Sequence, residues 1–383
     1  MVLVRGNDPY VGVEFAQQTV NWETAATTGW QSCPLLSESL TLEREQLPVP
    51  KELGGSGYRE FFEYGRKFVR GTLTVLPRYD SKFIHQLFAH AMYSETVVPD
   101  TYVNGFALNG GGGANPPGNT HLYQFSATLP KGLTIRVHKG GQSLGKYDEF
   151  VGCMVTQLTI EQPENDVMRC TFTFLGYNLT TTSQSGALSA IGGVVPVRIR
   201  DYGNTYGYVK TGATLTALNV KGFRINIDRK LELDTAFLNN LDSVAQPGIT
   251  DVREVTCELQ GSLEQSYGDA NRPHTEYLAK TNSKADIMIA ADESVTANLL
   301  YNSGGAASRP YAMRFEFPSI YWTRVPDSVQ SGGANDVTYA FTAIKGTMDS
   351  TGSLPDSVSS DFRILASVKD TDEPTPDAKF SIL

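Results

Sequence analysis

Long hydrophobic runs and a high charge content are both missing from this sequence. No apolar stretch approaches the roughly 18 residues that a membrane-spanning helix needs, so we expect no such helix. Charged residues make up only 19% of the 383 residues and glycine occurs 36 times, which argues against coiled coils and long helical bundles. The first 30 residues lack the apolar centre of a secretory signal, so we expect folding and assembly in the cytoplasm.

The sequence also lacks a basic stripe. Its formal net charge is −9, and the one basic concentration, Arg66, Lys67 and Arg70, is diluted by Glu60 and Glu63. Firm DNA binding depends on lysine and arginine at the phosphates, so this composition predicts a chain that does not hold DNA. It is compatible with a surface past which DNA slides.

Signatures of catalysis and metal binding are missing as well. No GxSxG, P-loop, HExxH, EF-hand or CxxC pattern occurs, so we expect no enzyme activity, no cofactor and no metal site. The adjacent acidic pairs at 148–149 and 292–293 leave a β-rich glycan hydrolase open as an alternative, although nothing selects a catalytic pair. We expect the four cysteines to be reduced, buried thiols: Cys33, Cys153, Cys170 and Cys257.

Short runs in which apolar and polar residues alternate are the main feature that the sequence does contain. They include residues 40–44, 71–75, 155–160 and 168–174, separated by Gly, Pro, Asn and Asp. Such alternation predicts antiparallel strands with one buried face. A single apolar stripe over residues 80–93 predicts a helix laid across the sheet. The fold class is therefore predicted to be mainly β with a little helix.

An internal repeat organises the chain. Residues 39–45 resemble 224–230, pairing Leu40 with Ile225 and Arg44 with Arg229 at an offset of 185. A second helical stretch is predicted over about 273–284, and a later Asn-Asp-Val match lowers the offset to 170. We predict four parts: an N-terminal arm at 1–34, a first domain at 35–205 with a Gly-rich insertion at about 104–119, a second domain at 206–370 and a C-terminal arm at 371–383.

The order of these motifs resembles that of siphophage major tail tube proteins, present here as a tandem duplication. A strand, a helix, a strand with Phe150-Val-Gly-Cys153, a short acidic turn and a strand ending in Leu-Gly follow one another in the first copy. The resemblance covers 35–200 well. It covers 215–350 more loosely, because the second copy reads Phe317-Pro-Ser-Ile320 in place of the Phe-Val-Gly-Cys run.

That resemblance implies a structural protein of the virion. Each domain is expected to be a β-sandwich or partial barrel with a flanking α-helix, and each contributes four strands to a barrel around a lumen. Six domains close such a ring, so three chains of this length would suffice. Roughly 24 strands at about 4.8 Å spacing and about 40° tilt give a barrel ~48 Å across, which admits hydrated duplex DNA.

The resemblance also implies partners and a location. The partners are further copies of this chain in stacked rings, the tape measure and tail terminator proteins, and double-stranded DNA that passes without specific binding. No membrane insertion is expected. The protein is expected in the virion tail, after assembly in the host cytoplasm.

Alternation along the strands predicts which side chains face the core and which face the channel. The predicted core residues are Leu40, Leu42, Leu73, Val75, Ile225, Ile227, Cys257 and Leu259. The predicted lumen-facing residues are Thr41, Glu43, Thr72, Thr74, Asn226, Asp228, Glu254, Thr256 and Glu258. Hydroxyls and carboxylates release no counterions from DNA, so the duplex gains nothing by binding them. The simpler alternative is the solvated face of an ordinary sandwich.

Exposed aromatic residues are the candidates for contacts between rings, because aromatics anchor interfaces at low entropic cost. They are Tyr58, Phe61 and Phe62 in a glycine-containing arm, and Trp22 and Trp30 near the N-terminus. A loop folded on its own domain is the alternative for the arm. A carbohydrate-binding or host-attachment β-sandwich of the virion is the alternative function.

Overall fold

The chain is described by a computed structural model in which two helices and a large number of strands are defined. The described residues are 11–33, 35–48, 62–78, 82–99, 118–126, 128–139, 146–164, 166–183, 207–212, 216–232, 246–262, 273–280, 283–290, 312–325, 336–345 and 362–369. The predicted C-terminal arm lies outside them, as does the predicted Gly-rich insertion apart from Gly118 and Asn119, which open a strand.

The described residues of the first half form one helix and eleven strands, so β structure dominates this part. These elements are β1 (Val11–Gln17), β2 (Gln31–Cys33), β3 (Leu35–Glu38), β4 (Thr41–Pro48), β5 (Phe62–Val75), α1 (Lys82–Met92), β6 (Glu95–Pro99), β7 (Gly118–Gln124), β8 (Leu133–Lys139), β9 (Lys146–Gln162), β10 (Arg169–Gly176) and β11 (Asn178–Ser183).

The second half is built in the same way, with a shorter helix. Its elements are β12 (Gly207–Thr211), β13 (Thr216–Ala217), β14 (Val220–Asp228), β15 (Leu231–Glu232), β16 (Gly248–Ile249), β17 (Glu254–Ser262), α2 (Pro273–Ala279), β18 (Ser283–Ala290), β19 (Ala312–Arg324), β20 (Asp336–Ile344) and β21 (Arg363–Lys369). The predicted mainly β fold is confirmed. The second predicted helix is shorter than expected, because β18 already begins at Ser283.

One long strand in each half connects two sheet regions. The first part of β9 lies between β8 and β11, and its last part lies beside β10. The first part of β19 likewise lies between β18 and β21, and its last part lies beside β20. At the outer side of β8 lies β1, and at the outer side of β18 lies β12. The same pairing scheme therefore occurs in both halves.

The irregularities of the pairing also match between the halves. The β8–β9 register shifts where Leu133 faces Cys153 and Ile135 faces Phe150. The β18–β19 register shifts in the same way, where Ser283 faces Ile320 and Ala285 faces Phe317. The two shifts align Phe150 with Phe317, an offset of 167.

A further pair of bulges supports that alignment. The β9–β10 register skips Thr156, and the β19–β20 register skips Thr323. These two residues are again 167 apart. Because β-bulges mark defined positions of a strand, two matched bulges fix which residues of β9 and β19 correspond.

The N-terminal segment predicted as an arm takes part in the sheet of its own chain. β1 pairs with β8 over its full length and with β2 at three positions. Val13 and Phe15 belong to the main hydrophobic core. This core is one contiguous cluster of buried side chains that extends through both halves.

Helix α1 is covered on all sides, which is more than a single apolar stripe predicts. The stripe residues Phe83, Ile84, Leu87, Phe88 and Met92 are buried as predicted. His85, Gln86 and His90 on the remaining surface are buried too. The helix contacts β9 and also β7 and β2, which supply the additional cover.

Burial of His90 predicts a loss of stability in acid. Neither ring nitrogen of His90 has a hydrogen-bond partner among the described residues, and burial lowers the pKa of this group to about 3. The unfolded chain takes up the proton near pH 6.5. The contribution of neutral, buried His90 to the free energy of unfolding is therefore fully present above pH 6.5. It is lost as the pH falls from there towards 3, by about 1 kcal/mol per pH unit.

A His90→Leu variant is expected to show a shallower decline of the unfolding free energy between about pH 6 and pH 4, because it removes this proton uptake. Urea unfolding at several pH values measures the difference. An unchanged slope in the variant would contradict the assignment.

Candidate functional site

Eight strands from the two halves, called the eight-stranded sheet below, follow one another in hydrogen-bonded order within a larger connected sheet. Their order is β4, β5, β10, β9, β14, β17, β20 and β19. The two halves meet where Gln157–Gln162 of β9 pairs antiparallel with Phe223–Asp228 of β14. We call this pairing the internal junction. The first half supplies four consecutive strands of the sheet and the second half the other four.

The internal junction has polar contacts of its own. Asn226 Oδ1 accepts hydrogen bonds from Gln157 Nε2 at 2.7 Å and from Thr159 Oγ1 at 3.0 Å. Gly222 lies so close to Gln162 that an added Cβ would be 2.6 Å from the Gln162 carbonyl oxygen. The backbones of the two halves are thus in close contact.

Arg229 reinforces the internal junction and was not singled out for it from the sequence. Its backbone N–H donates to the Thr156 carbonyl at 2.8 Å, and its guanidinium lies 3.7 Å from the centre of the Tyr93 ring. Burial lowers the pKa of Arg229 to about 10, and burial raises the pKa of Tyr93 to about 12. The position of this arginine directly after the alternating run of β14 was the one feature of the sequence that could have indicated a contact here.

The core-facing side of the eight-stranded sheet matches the prediction at seven positions. Leu40, Leu73, Val75, Ile225, Ile227, Cys257 and Leu259 are buried. Leu42 is the exception, since 37% of it is exposed. It lies on β4, the first strand of the sheet, where no further strand covers it among the described residues. All four cysteines are free and buried, as expected.

The opposite side of the sheet, called the polar face below, carries all nine residues that were predicted to line a channel. Thr41, Glu43, Glu254 and Glu258 are exposed. The remaining residues are half-buried: Thr72, Thr74, Asn226, Asp228 and Thr256. The register brings them together with polar residues of β9, β10, β19 and β20, which the sequence prediction did not include.

Hydroxyl groups and the Asn226 amide form one row across the polar face, called the hydroxyl row below. Thr74 Oγ1 lies 3.1 Å from Thr171 Oγ1 of the neighbouring strand, within hydrogen-bonding distance. The paired residues of this row, from β5 to β19, are Thr74, Thr171, Thr159, Asn226, Thr256, Thr342 and Tyr321. The row crosses the internal junction without interruption.

Charges of alternating sign form a second row, in which the uncharged Ala340 is the one exception. Its paired residues, from β10 to β19, are Arg169, Glu161, Arg224, Glu258, Ala340 and Arg324. Opposite charges directly across a strand pair are favourable. The polar face is therefore not uniformly acidic, as the predicted residues alone would have made it, because arginines lie opposite its carboxylates.

The aromatic residues predicted for contacts between rings have different environments. Trp22 is only 5% exposed and packs edge-on against Tyr177, with ring centres 5.3 Å apart, so its own chain already covers it. Trp30 is half-buried, with the Arg136 guanidinium 3.5 Å from its ring centre. Phe62 opens β5, but its side chain, like all of Tyr58 and Phe61, lies outside the described residues.

A buried ion-pair network lies beside the sheet in the second half. Arg314 of β19 donates two hydrogen bonds to Asp286 of β18, at 2.8 and 2.7 Å, and lies 3.2 Å from Glu316. Glu316 also accepts from Arg363 of β21. In the corresponding part of the first half, Arg136 forms an ion pair with Glu149 at 2.8 Å.

These features define a mainly β protein in which polar residues of eight consecutive strands share one sheet face. The described part of the chain contains no group of three or more His, Cys, Asp or Glu side chains that could hold a metal ion. None of its described helices is long and apolar enough to cross a bilayer.

Comparison with known families gives the class directly. The family described as phage tail tube protein matches residues 79–344, which is more than half of the chain and runs from just before α1 to the end of β20. The chain belongs to this family of phage tail tube proteins. It is thus a structural component of a virion tail. A search of the curated proteins gave no significant match.

Proposed function

We propose that three copies of this chain close a ring and that such rings stack into the tube of a siphophage tail, through which DNA enters the host. The internal junction carries this proposal, because it continues one sheet from the first half into the second. Eight strands per chain and three chains supply the 24 strands that a lumen of about 48 Å backbone diameter requires.

We propose further that the chain holds two copies of one tube domain, at residues 35–205 and 206–370. The repeated pairing of β9 and β19, and the matched bulges at Thr156 and Thr323, support the duplication. β1 and β2 complete the first domain from the segment 1–34. A purely structural role, without catalysis, accompanies this architecture.

The polar face is the proposed lumen wall. It carries hydroxyls and paired charges, so it offers passing phosphates few uncompensated cations and DNA gains little by binding. The proposed contacts between rings are Trp30, Tyr58, Phe61 and Phe62, and we omit Trp22 because it is buried in its own chain. Tape measure and tail terminator proteins are the proposed further partners, with assembly in the host cytoplasm.

Negative-stain microscopy of the purified protein tests the proposal. We expect rings or filaments of uniform diameter, and native mass spectrometry of rings should give three chains. A protein that stays monomeric at high concentration, also in the presence of the phage's own tail initiation proteins, would contradict it.

A lysine in the hydroxyl row tests the role of the polar face. Thr159→Lys and Thr256→Lys each add one cation per chain, repeated in every ring, and should make assembled tubes retain double-stranded DNA in a salt-dependent way. Val20→Lys, at an exposed position outside the sheet, is the matched control. DNA co-sedimentation with tubes at low and high salt measures the effect. Equal retention by all variants would show that the face does not line the channel.

A further inference from the structure

Two strand edges of the eight-stranded sheet are unpaired among the described residues. Within the described ranges, β4 pairs with β5 alone, and residues 321–324 of β19 pair with β20 alone. The corresponding edges inside the chain, β14 and the last part of β9, pair with each other at the internal junction. The outer edges, β4 and the last part of β19, are thus the counterparts of two strands, β14 and β9, that already pair with each other inside the chain.

Large apolar side chains are exposed at these outer edges. Leu36 and Leu42, on β3 and β4, are 50% and 37% exposed, and Tyr321, on the last part of β19, is 41% exposed. Apolar side chains concentrated at an open sheet edge mark a surface that a further strand would cover.

From these observations we infer that β19 of one chain pairs antiparallel with β4 of the next, in the register of the internal junction. The occupant of each edge is a second copy of this chain. The inference rests on the proposed ring and specifies its contact between chains.

The register follows from the alignments within the chain. The matched bulges place β19 residues 167 positions after those of β9. The same offset aligns Leu175 with Thr342, whose partners on the next strands are Arg70 and Thr256. Arg70 in turn faces Thr41, and Thr256 faces Asn226. Residues of β14 therefore lie 185 positions after the corresponding residues of β4.

Applied to the internal junction, these offsets give two pairs between chains. Ile227 faces Leu158 inside the chain, which corresponds to Leu42 facing Val325 of the next copy. Asp228 faces Gln157, which corresponds to Glu43 facing Arg324. The exposed Leu42 would thereby reach the core-facing side of β19.

Charge complementarity supports the second pair independently of the alignment. Arg324 is the last member of the alternating row on the polar face, and Glu43 is an exposed carboxylate on the same face. Their pairing continues the alternation from one chain to the next, with an acidic residue opposite an arginine.

A disulfide at this position tests the register. Ser39 N–H donates to the Thr72 carbonyl, so alternate residues 39, 41 and 43 make the hydrogen bonds to β5. Across the outer edge, Glu43 and Arg324 would then form a non-hydrogen-bonded pair, with Cα atoms about 4.5 Å apart, close enough for a disulfide. The double variant Glu43→Cys/Arg324→Cys should give covalent dimers and trimers in assembled, oxidised protein on a non-reducing gel.

Two further cysteine pairs serve as controls. Gln157→Cys/Asp228→Cys, at the internal junction, should form a disulfide within one chain. This variant should therefore still run as a single chain on the non-reducing gel. Leu42→Cys/Arg324→Cys, which points the two thiols to opposite faces, should not cross-link. Two results would contradict the register but not the proposed ring. One is strong cross-linking of Leu42→Cys/Arg324→Cys. The other is no cross-linking of Glu43→Cys/Arg324→Cys in protein that forms tubes visible by microscopy. Failure of the unmodified chain to assemble would instead count against the proposed function.

Exchange of the two charges gives a second readout. Glu43→Arg and Arg324→Glu should each raise the protein concentration needed for assembly by about tenfold, because like charges then face each other. The double variant Glu43→Arg/Arg324→Glu restores opposite charges and should return within about threefold of the unmodified chain. Additive effects of the two single changes in the double variant would contradict the pairing.

Discussion

Replacement of Arg314 by methionine is expected to lower the free energy of unfolding by about 3–5 kcal/mol. The side chains of Arg314 and Asp286 are 5% and 3% exposed and share two hydrogen bonds. Loss of the guanidinium leaves the carboxylates of Asp286 and Glu316 buried with only part of their compensating charge. Breaking a buried pair from one side costs far more than the pair contributes as a whole. Chemical denaturation measures the loss.

Two variants control this prediction. Arg66→Met removes the ion pair with Glu45, whose partners are 32% and 40% exposed, and should cost less than about 1 kcal/mol. Asp286→Leu/Arg314→Met removes both charges and should recover much of the stability lost by Arg314→Met alone. If Arg314→Met were as mild as Arg66→Met, the network would not be buried in solution.

Leu42→Pro is expected to abolish assembly while leaving the single chain folded. The N–H of Leu42 points away from β5, because the hydrogen bonds to β5 are made by residues 39, 41 and 43. Proline is tolerated at such an outward position of an edge strand, but it removes the donor that a neighbouring strand needs. We expect at least a tenfold loss of tube yield, with the unfolding free energy changed by about 1 kcal/mol or less.

Neighbouring substitutions separate this backbone effect from other causes. Leu42→Ala keeps the N–H and should reduce assembly less than Leu42→Pro. Thr41→Pro removes an N–H that faces β5 and should destabilise the single chain itself. Tubes formed normally by Leu42→Pro would show that β4 is not an edge at which chains meet.

Alternation of apolar and polar residues was enough to predict the mainly β fold and the side of most strand residues. Seven of the eight predicted core residues are buried, and all nine predicted channel residues lie on one face of the sheet. The sequence fails at Leu42 because alternation reports which face a side chain points to, and not whether another strand covers it.

The alignment of the two halves was only partly predictable. The Asn-Asp-Val match at an offset of 170 differs from the offset of 167 that the bulges give. Both halves carry the same bulges, so the offset stays at 167 from β9 and β19 through to β10 and β20. The two Asn-Asp-Val triplets therefore do not lie at equivalent positions, and a short sequence match alone does not reveal this.

Contacts between distant residues were not predictable from one sequence. The cover of α1 depends on β2, which precedes it in the chain, and on β7, which follows it. Arg229 of the second half meets Tyr93 of the first, and Arg314 meets Asp286 through the pairing of β18 with β19. Side chains of this kind look like ordinary surface residues in the alternation pattern.

A cryo-electron microscopy map of assembled tubes tests the central claim most directly. We predict three chains per ring, twenty-four strands around the lumen, the row of threonines on its inner surface, and β19 of each chain beside β4 of the next. A ring closed by six chains, or a lumen lined by some other surface of this protein, would contradict the account.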